Sequence, residues 1–96
     1  MAEPTVVHDA ERQRYEIHVD GAVAGFTQYR PAGDGVLDFV HTEIDDAYEG
    51  QGLGGKLARG AMDAVRANGQ KVIATCPFIK GWLEKHPDDQ DLLSAG

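Results

Sequence analysis

The chain is short of the residues from which the commonest enzyme chemistries are built. Cys76 is the single cysteine in 96 residues, so an internal disulfide is excluded and a reducing compartment is expected. The only serine, Ser94, sits in the tail, which leaves nothing from which to assemble a Ser-His-Asp hydrolase. No apolar run approaches the roughly 20 residues that a membrane helix needs. Met1-Ala2-Glu3-Pro4 has neither the basic flank nor the apolar stretch of a secretory signal. A cytoplasmic protein with no membrane partner is the expectation. Basic residues are scarce as well: nine Lys and Arg against sixteen Asp and Glu give a net charge of −7. Such a surface repels nucleic-acid phosphates, so no nucleic-acid partner is expected. It favours cationic partners such as amines, polyamines or lysine-bearing peptides, although the same charge also serves solubility. His8, His18, His41 and His86 show no metal-ligand spacing, and no metal is expected. His41-Thr42-Glu43 imitates the H-x-E of zinc deaminases, but those need a later P-C-x-x-C, and Cys76 precedes its proline.

What is present reads as one α+β domain over residues 1–96, with one modest core. Val6 and Val7 belong to a short first strand. Tyr15, Ile17 and Val19 alternate with Arg14, Glu16 and His18, the period of a half-buried strand. Asp20-Gly21 is a two-residue hairpin signal, and Ala22 to Tyr29 is its partner strand. After Pro31-Ala32-Gly33-Asp34-Gly35 comes a strand from Val36 to Ile44, so residues 5–44 form an antiparallel meander. The period then changes. Leu53, Leu57, Gly60, Ala61 and Ala64 share one helical face from Gly52 to Asn68, opposite Lys56, Arg59, Asp63 and Arg66. Gly60 costs about 1 kcal/mol of helix propensity against Ala, a sacrifice that a close approach to the sheet explains. A strand from Lys71 to Thr75 follows, then a helix opened by Cys76-Pro77 and running to about His86. Leu92 and Leu93 partly order the acidic tail, Asp88 to Gly96.

Gly50, Gly52, Gly54 and Gly55 open the first helix and leave several backbone N–H groups free to converge on one anion, aided by the helix dipole. Glycines in a turn that needs positive φ are the plainer account. Gly50-x-Gly52-x-x-Gly55 matches a dinucleotide fingerprint, but the next strand ends in Thr75-Cys76, where an acidic ribose ligand belongs. Gly50-x-x-x-x-Gly55-Lys56 approaches a P-loop, yet Leu57 stands where a hydroxyl must reach magnesium. Both nucleotide readings fail.

A strand, a loop and then Q/R-x-x-G-x-G/A opening a helix resembles the acetyl-CoA motif of the GNAT acetyltransferase superfamily. The match lies at Glu49-Gly50-Gln51-Gly52-Leu53-Gly54. With His41-Thr42-Glu43-Ile44 before it and Cys76-Pro77-Phe78-Ile79, Trp82 and His86-Pro87 after it, the chain is similar to the very short single-domain branch of that superfamily. Glu49 departs from the pattern, because Arg or Gln is usual there.

The resemblance implies a minimal GNAT-like fold and an N-acetyltransferase using acetyl-CoA as acetyl donor to an amine. Its cofactor-binding residues would be Ile44, Asp45, Glu49, Gly50, Gln51, Gly52, Leu53, Gly54, Gly55 and Lys56, with Lys80 as a further cation. Glu43, beside His41, is the first candidate for the base that takes the amine's proton, or else a structural hydrogen-bonding group. Strand alternation groups Glu43 with His41 and Phe39, and sets Thr42 with Val40 and Ile44 toward the core. Cys76, at a helix N-terminus where thiols are more reactive, is a candidate acid, acyl carrier or core residue. The tyrosine that serves as acid in many GNAT enzymes has no counterpart, since that helix carries Phe78 and Trp82. A non-catalytic CoA-binding module is therefore the alternative function. The acceptor and the oligomeric state are not legible at this level.

Overall fold

The structure is a computed structural model that describes residues 3–94; Met1, Ala2, Ala95 and the tail's last residue, Gly96, lie outside the described residues. Strands β1 (Thr5–Asp9), β2 (Arg14–Val19), β3 (Ala22–Pro31) and β4 (Val36–Ile44) form an antiparallel meander. Helix α1 (Leu53–Ala67) then crosses over to β5 (Lys71–Ala74), which lies parallel to β4, and helix α2 (Pro77–Glu84) follows. This is the α+β architecture expected from the change of period near Gly52. Asp20 and Gly21 both take positive φ, 51° and 81°, as the two-residue hairpin requires. Strand β3 runs two residues beyond Tyr29 and closes on Pro31.

Tyr15, Ile17, Thr27, Tyr29 and Phe39 are buried on one face of the sheet, under α1 and α2. The buried stripe of α1 is Leu53, Leu57, Ala58, Ala61, Met62 and Val65. Gly60 borders it for a steric reason: a Cβ there would lie 2.5 Å from Val6 Cγ2, so glycine lets α1 settle against β1. Helix α2 ends at Glu84, two residues short of His86. Pro87 restricts the residue before it, and His86 is held out of the helical region at φ −128° and ψ 76°. The chain then turns through a short 3₁₀ segment, Pro87–Leu92, which buries Leu92. Leu93 bridges to Val72, and the Ser94 N–H donates to the Val72 carbonyl.

Ion pairs fasten this segment to α1. The buried Asp89 receives Arg59 at 2.6 Å and Arg66 at 3.4 Å, and Asp91 receives Arg66 at 2.8 Å. Hydrogen bonds from Arg59 hold the Asp89 carboxyl below the usual carboxylate range.

The sheet departs from simple alternation at one place that matters. Gln28 pairs with His41 but Tyr29 with Phe39, so Val40 is an extra residue in β4. Such a bulge reverses the alternation beyond it. Phe39 and Thr42 therefore share the helix-covered face, while His41 and Glu43 project from the other. The expected grouping of Phe39 with His41 and Glu43, and of Val40 with Thr42, is corrected by that one inserted residue.

Candidate active site

Strand β4 is paired with β5 only from Val36 to Phe39, and the Cys76 N–H closes that run on the Phe39 carbonyl at 2.7 Å. Beyond it the chain leaves the sheet for α2, because Pro77 favours a helix start. Residues 40–44 of β4 thus keep an open backbone edge toward Cys76 and α2. The two strands thus part beyond Phe39, a splay from which β4 runs on alone toward the turn and the glycine loop.

A 3₁₀ turn, Asp46–Tyr48, connects β4 to that loop, and the Asp45 carboxylate accepts from the Ala47 N–H at 2.9 Å to start it. Gly50 and Gly52 have φ of 82° and 71°, a region closed to most side chains, and Gly52 caps α1 in the left-handed conformation. Gly54 serves a different purpose. A Cβ on it would meet Phe78 Cζ at 2.9 Å, so glycine admits the Phe78 ring against the loop. Gly55 has open space where a Cβ would stand. Among the described residues, no hydrogen bond occupies the N–H groups from Gly50 to Gly55. Positive φ at Gly50 and Gly52 meets the plain turn account, and the same conformation leaves those N–H groups bare at the positive end of α1.

The side chains beside the splay divide by face. On the open face, His41 Nε2 and Glu43 Oε1 are 3.1 Å apart, and both side chains are more than half exposed. On the covered face, Thr42 Oγ1 lies 2.9 Å from Thr27 Oγ1 and 3.3 Å from Cys76 Sγ. Cys76 is buried and occupies the N-cap position of α2, but its sulfur makes no cap bond. It faces Thr42 instead. Thr42, read from sequence as a core residue, is half-buried and joins β4 to the only thiol. The bulge that turns it toward Cys76 has no sequence signature.

Two grooves flank these elements. One, of about 540 Å³, is lined by Phe26, Glu43, Ile44, Asp45 and Asp46, with Arg14 at its side. Arg14 lies over the Phe26 ring at 4.6 Å and binds Glu16 at 2.7 Å, so its charge is answered and the groove stays acidic. The other, of about 680 Å³, follows α1 from Gly52 past Gly55, Lys56 and Arg59 to Trp82 and His86. Lys56 thus belongs to the loop's surroundings. Lys80 is not brought there: it lines a small apolar hollow with Ala74, Leu83 and Leu93. The Asp45 N–H is spent on the Ala24 carbonyl, at 2.8 Å, so Asp45 offers the site its carboxylate rather than a backbone donor, and Leu53 is buried and offers only backbone groups. Gln51 and Glu49 are exposed at the loop. Arg59, which lines this groove, was read from sequence only as part of a solvated helix face, and the contact of Thr42 with Cys76 was not anticipated.

The fold has counterparts among known proteins. Residues 14–92 match the family profile of the GCN5-related N-acetyl-transferase. The chain is 32% identical over 88 residues to Protein NATD1 of Mus musculus, covering 91% of this chain and 80% of that one. It is equally similar, at 32% over 88 residues, to Protein NATD1 of Homo sapiens, of which it covers 78%. The solution structure of a GCN5-like protein of Staphylococcus aureus superposes with a TM-score of 0.73 at 27% identity, covering 98% of this chain and 91% of the other. With the family match running through strands, loop and both helices, the chain belongs to the GCN5-related N-acetyltransferase family.

Proposed function

We propose that the protein transfers the acetyl group of acetyl-CoA to an amine, whether a small molecule, a polyamine or a protein lysine. The observation that carries the proposal is the free row of N–H groups from Gly50 to Gly55 beside the open edge of β4. Residues of this kind fit a pyrophosphate, because a helix N-terminus with bare glycines favours an anion without a side-chain cation. Lys56 and the open backbone of β4 add to the hold on the donor. That explains how the loop tolerates Glu49: binding rests on main-chain donors that a side-chain change at its margin leaves in place.

When bound, acetyl-CoA supplies an activated acetyl thioester. The chain's own residues supply proton handling on the two sides of β4. Glu43, oriented by His41, takes a proton from the acceptor's ammonium, since an amine attacks only when its lone pair is free. Cys76 stands on the opposite side with Thr42 to pass a proton to the departing thiolate, taking the place of the absent tyrosine. The carboxylates of Glu43, Asp45 and Asp46 draw a cationic acceptor to that mouth.

Titration with acetyl-CoA, followed by amide NMR shifts, tests the donor. Shifts at residues 43–57 are expected, and their absence at millimolar donor sinks the assignment. Incubation with a panel of amines, read by mass spectrometry, then tests turnover. Donor binding with no acetylated amine moves the protein to a non-catalytic CoA-binding module, and a stable acetyl adduct on Cys76 makes that residue the carrier.

A further inference from the structure

The sheet face that neither helix covers carries a shielded ion pair beside the acceptor mouth. Glu16, Phe26 and Glu43 stand opposite one another on β2, β3 and β4. The Glu16 side chain is only 8% exposed although no helix lies over it. Arg14 and His18, its neighbours on the same strand face, lean onto its carboxylate. Arg14 Nε and Nη2 both donate to Oε2 at 2.7 Å, and His18 Nε2 donates to Oε1 at 2.9 Å. These bonds, that of His18 foremost, hold the Glu16 carboxyl below the usual carboxylate range against the opposing effect of burial. The same grip sets the Arg14 guanidinium over the Phe26 ring, 4.6 Å from its centre. That ring also meets His41, with centres 6.1 Å apart, and His41 binds Glu43 at 3.1 Å. Contacts therefore run unbroken from Glu16 to the candidate base. Arg14, Phe26 and Glu43 line one groove of about 540 Å³, with the exposed Val23 beside them. Without the Glu16 charge, Arg14 would compete for Glu43 and repel an arriving ammonium.

We propose that Glu16 is a positioning residue for the acceptor: it pins and neutralises Arg14 on Phe26, so that the groove takes a primary alkylammonium at Glu43 with its carbon stem against Phe26 and Val23. The inference rests on the acceptor reading of that mouth and is independent of the glycine loop. Glu16 acts at a distance, because Arg14 and His18 shield its carboxylate from any ligand. An unbranched stem gains by covering the Phe26 ring and the Val23 side chain, apolar surface that the sheet otherwise leaves to water.

The experiment titrates the full chain, Glu16→Gln, Arg14→Gln and the double variant with the diamine putrescine and the monoamine butylamine, following the amide NMR shifts of Phe26, Glu43 and Ile44. Neither donor nor turnover is needed. Glu16→Gln is expected to weaken putrescine about fivefold, the scale of one unanswered charge beside a part-exposed site. Butylamine should lose less, since it carries one charge instead of two. Arg14→Gln keeps the Glu16 charge and is expected to bind putrescine about threefold tighter than the native chain, and the double variant to return within about twofold of it. A merely structural Glu16 would weaken both amines alike and leave the double variant worse than either single one; that pattern overturns the inference. If Glu16→Gln fails to fold, Arg14→Gln decides by itself: tighter putrescine binding supports the electrostatic role, and unchanged or weaker binding overturns it. Absence of shifts with either amine in the native chain removes the acceptor reading of the mouth, and this inference with it, while the acetyl-CoA titration still decides the donor separately.

Discussion

The glycine loop and the splayed end of β4 lie side by side but are specified in different ways. The loop acts through its backbone: Gly50 and Gly52 are needed for positive φ, and the N–H groups they bare are the proposed anion donors. Any chain with those glycines ahead of a helix would present a similar anion site. The splay acts through side chains whose directions depend on a bulge at Val40, on where β5 stops and on where α2 begins. Local conformation is enough for the first, and assembly of distant segments is required for the second. Changes at the loop should therefore move donor affinity, whereas changes at the splay should move turnover.

Glu43→Gln should separate the two most sharply. Removal of the base is expected to lower kcat by about 100-fold or more, with the donor's binding constant unchanged; an unchanged kcat at saturating acceptor would return Glu43 to a structural role. Next in size is Asp89→Asn, which leaves Arg59 and Arg66 without their shared carboxylate. It is expected to cost about 2 kcal/mol, less than a fully buried pair because both arginines are part-exposed. The pH dependence follows the same group. Hydrogen bonds from Arg59 lower the Asp89 pKa in the folded chain, so the unfolded chain takes up the proton first on acidification. The stabilisation is complete above about pH 4 and is lost as pH falls through the lower folded value. Thermal melts between neutral pH and pH 3 should show a steeper acid decline for the native chain than for Asp89→Asn; parallel curves would remove Asp89 as the source.

Gly52→Val places a β-branched residue at φ 71°. A strain of about 1–2 kcal/mol is expected to appear as a roughly tenfold loss of donor affinity with little change in kcat, measured by calorimetry and steady-state kinetics. A large fall in kcat alone would contradict the division between loop and splay. Thr42→Val keeps the shape but removes the hydroxyl between Thr27 and Cys76. Thr27 is fully buried, so leaving its hydroxyl unpaired should cost about 1 kcal/mol, seen as a fall in Tm of about 5 °C. A native-like Tm would mean that Thr27 finds another partner.

Much of the fold could be read in the order of residues because the signals were local. Alternation at Tyr15, Ile17 and Val19, the Asp20-Gly21 turn, and the helical stripe of Leu53, Leu57 and Ala61 each express a preference of a few neighbouring residues. Even Gly60 could be anticipated, as a helix-weakening residue on an apolar face implies close packing, and Val6 is what it meets. The site was legible only in its backbone half. Alternation counted straight through Val40 assigns Phe39, Thr42 and Glu43 to the wrong companions, since a bulge leaves no mark in composition or period. Arg59 looked like a solvated charge until Asp89, thirty residues later, turned it into a fixed one.

Sequence by itself determined the meander, the crossover helix and the glycine loop, because turn chemistry, hydrophobic period and positive φ are properties of short segments. It also determined the acidic balance of the chain, nine basic residues against sixteen acidic ones. Tertiary structure decided which face each residue of β4 presents, that Cys76 meets Thr42 across 3.3 Å, and that Lys56, Arg59 and Trp82 line one groove. Those outcomes depend on where one strand bulges, where its neighbour ends and how a buried carboxylate draws two arginines together. Such relations between distant segments exist only once the chain has packed.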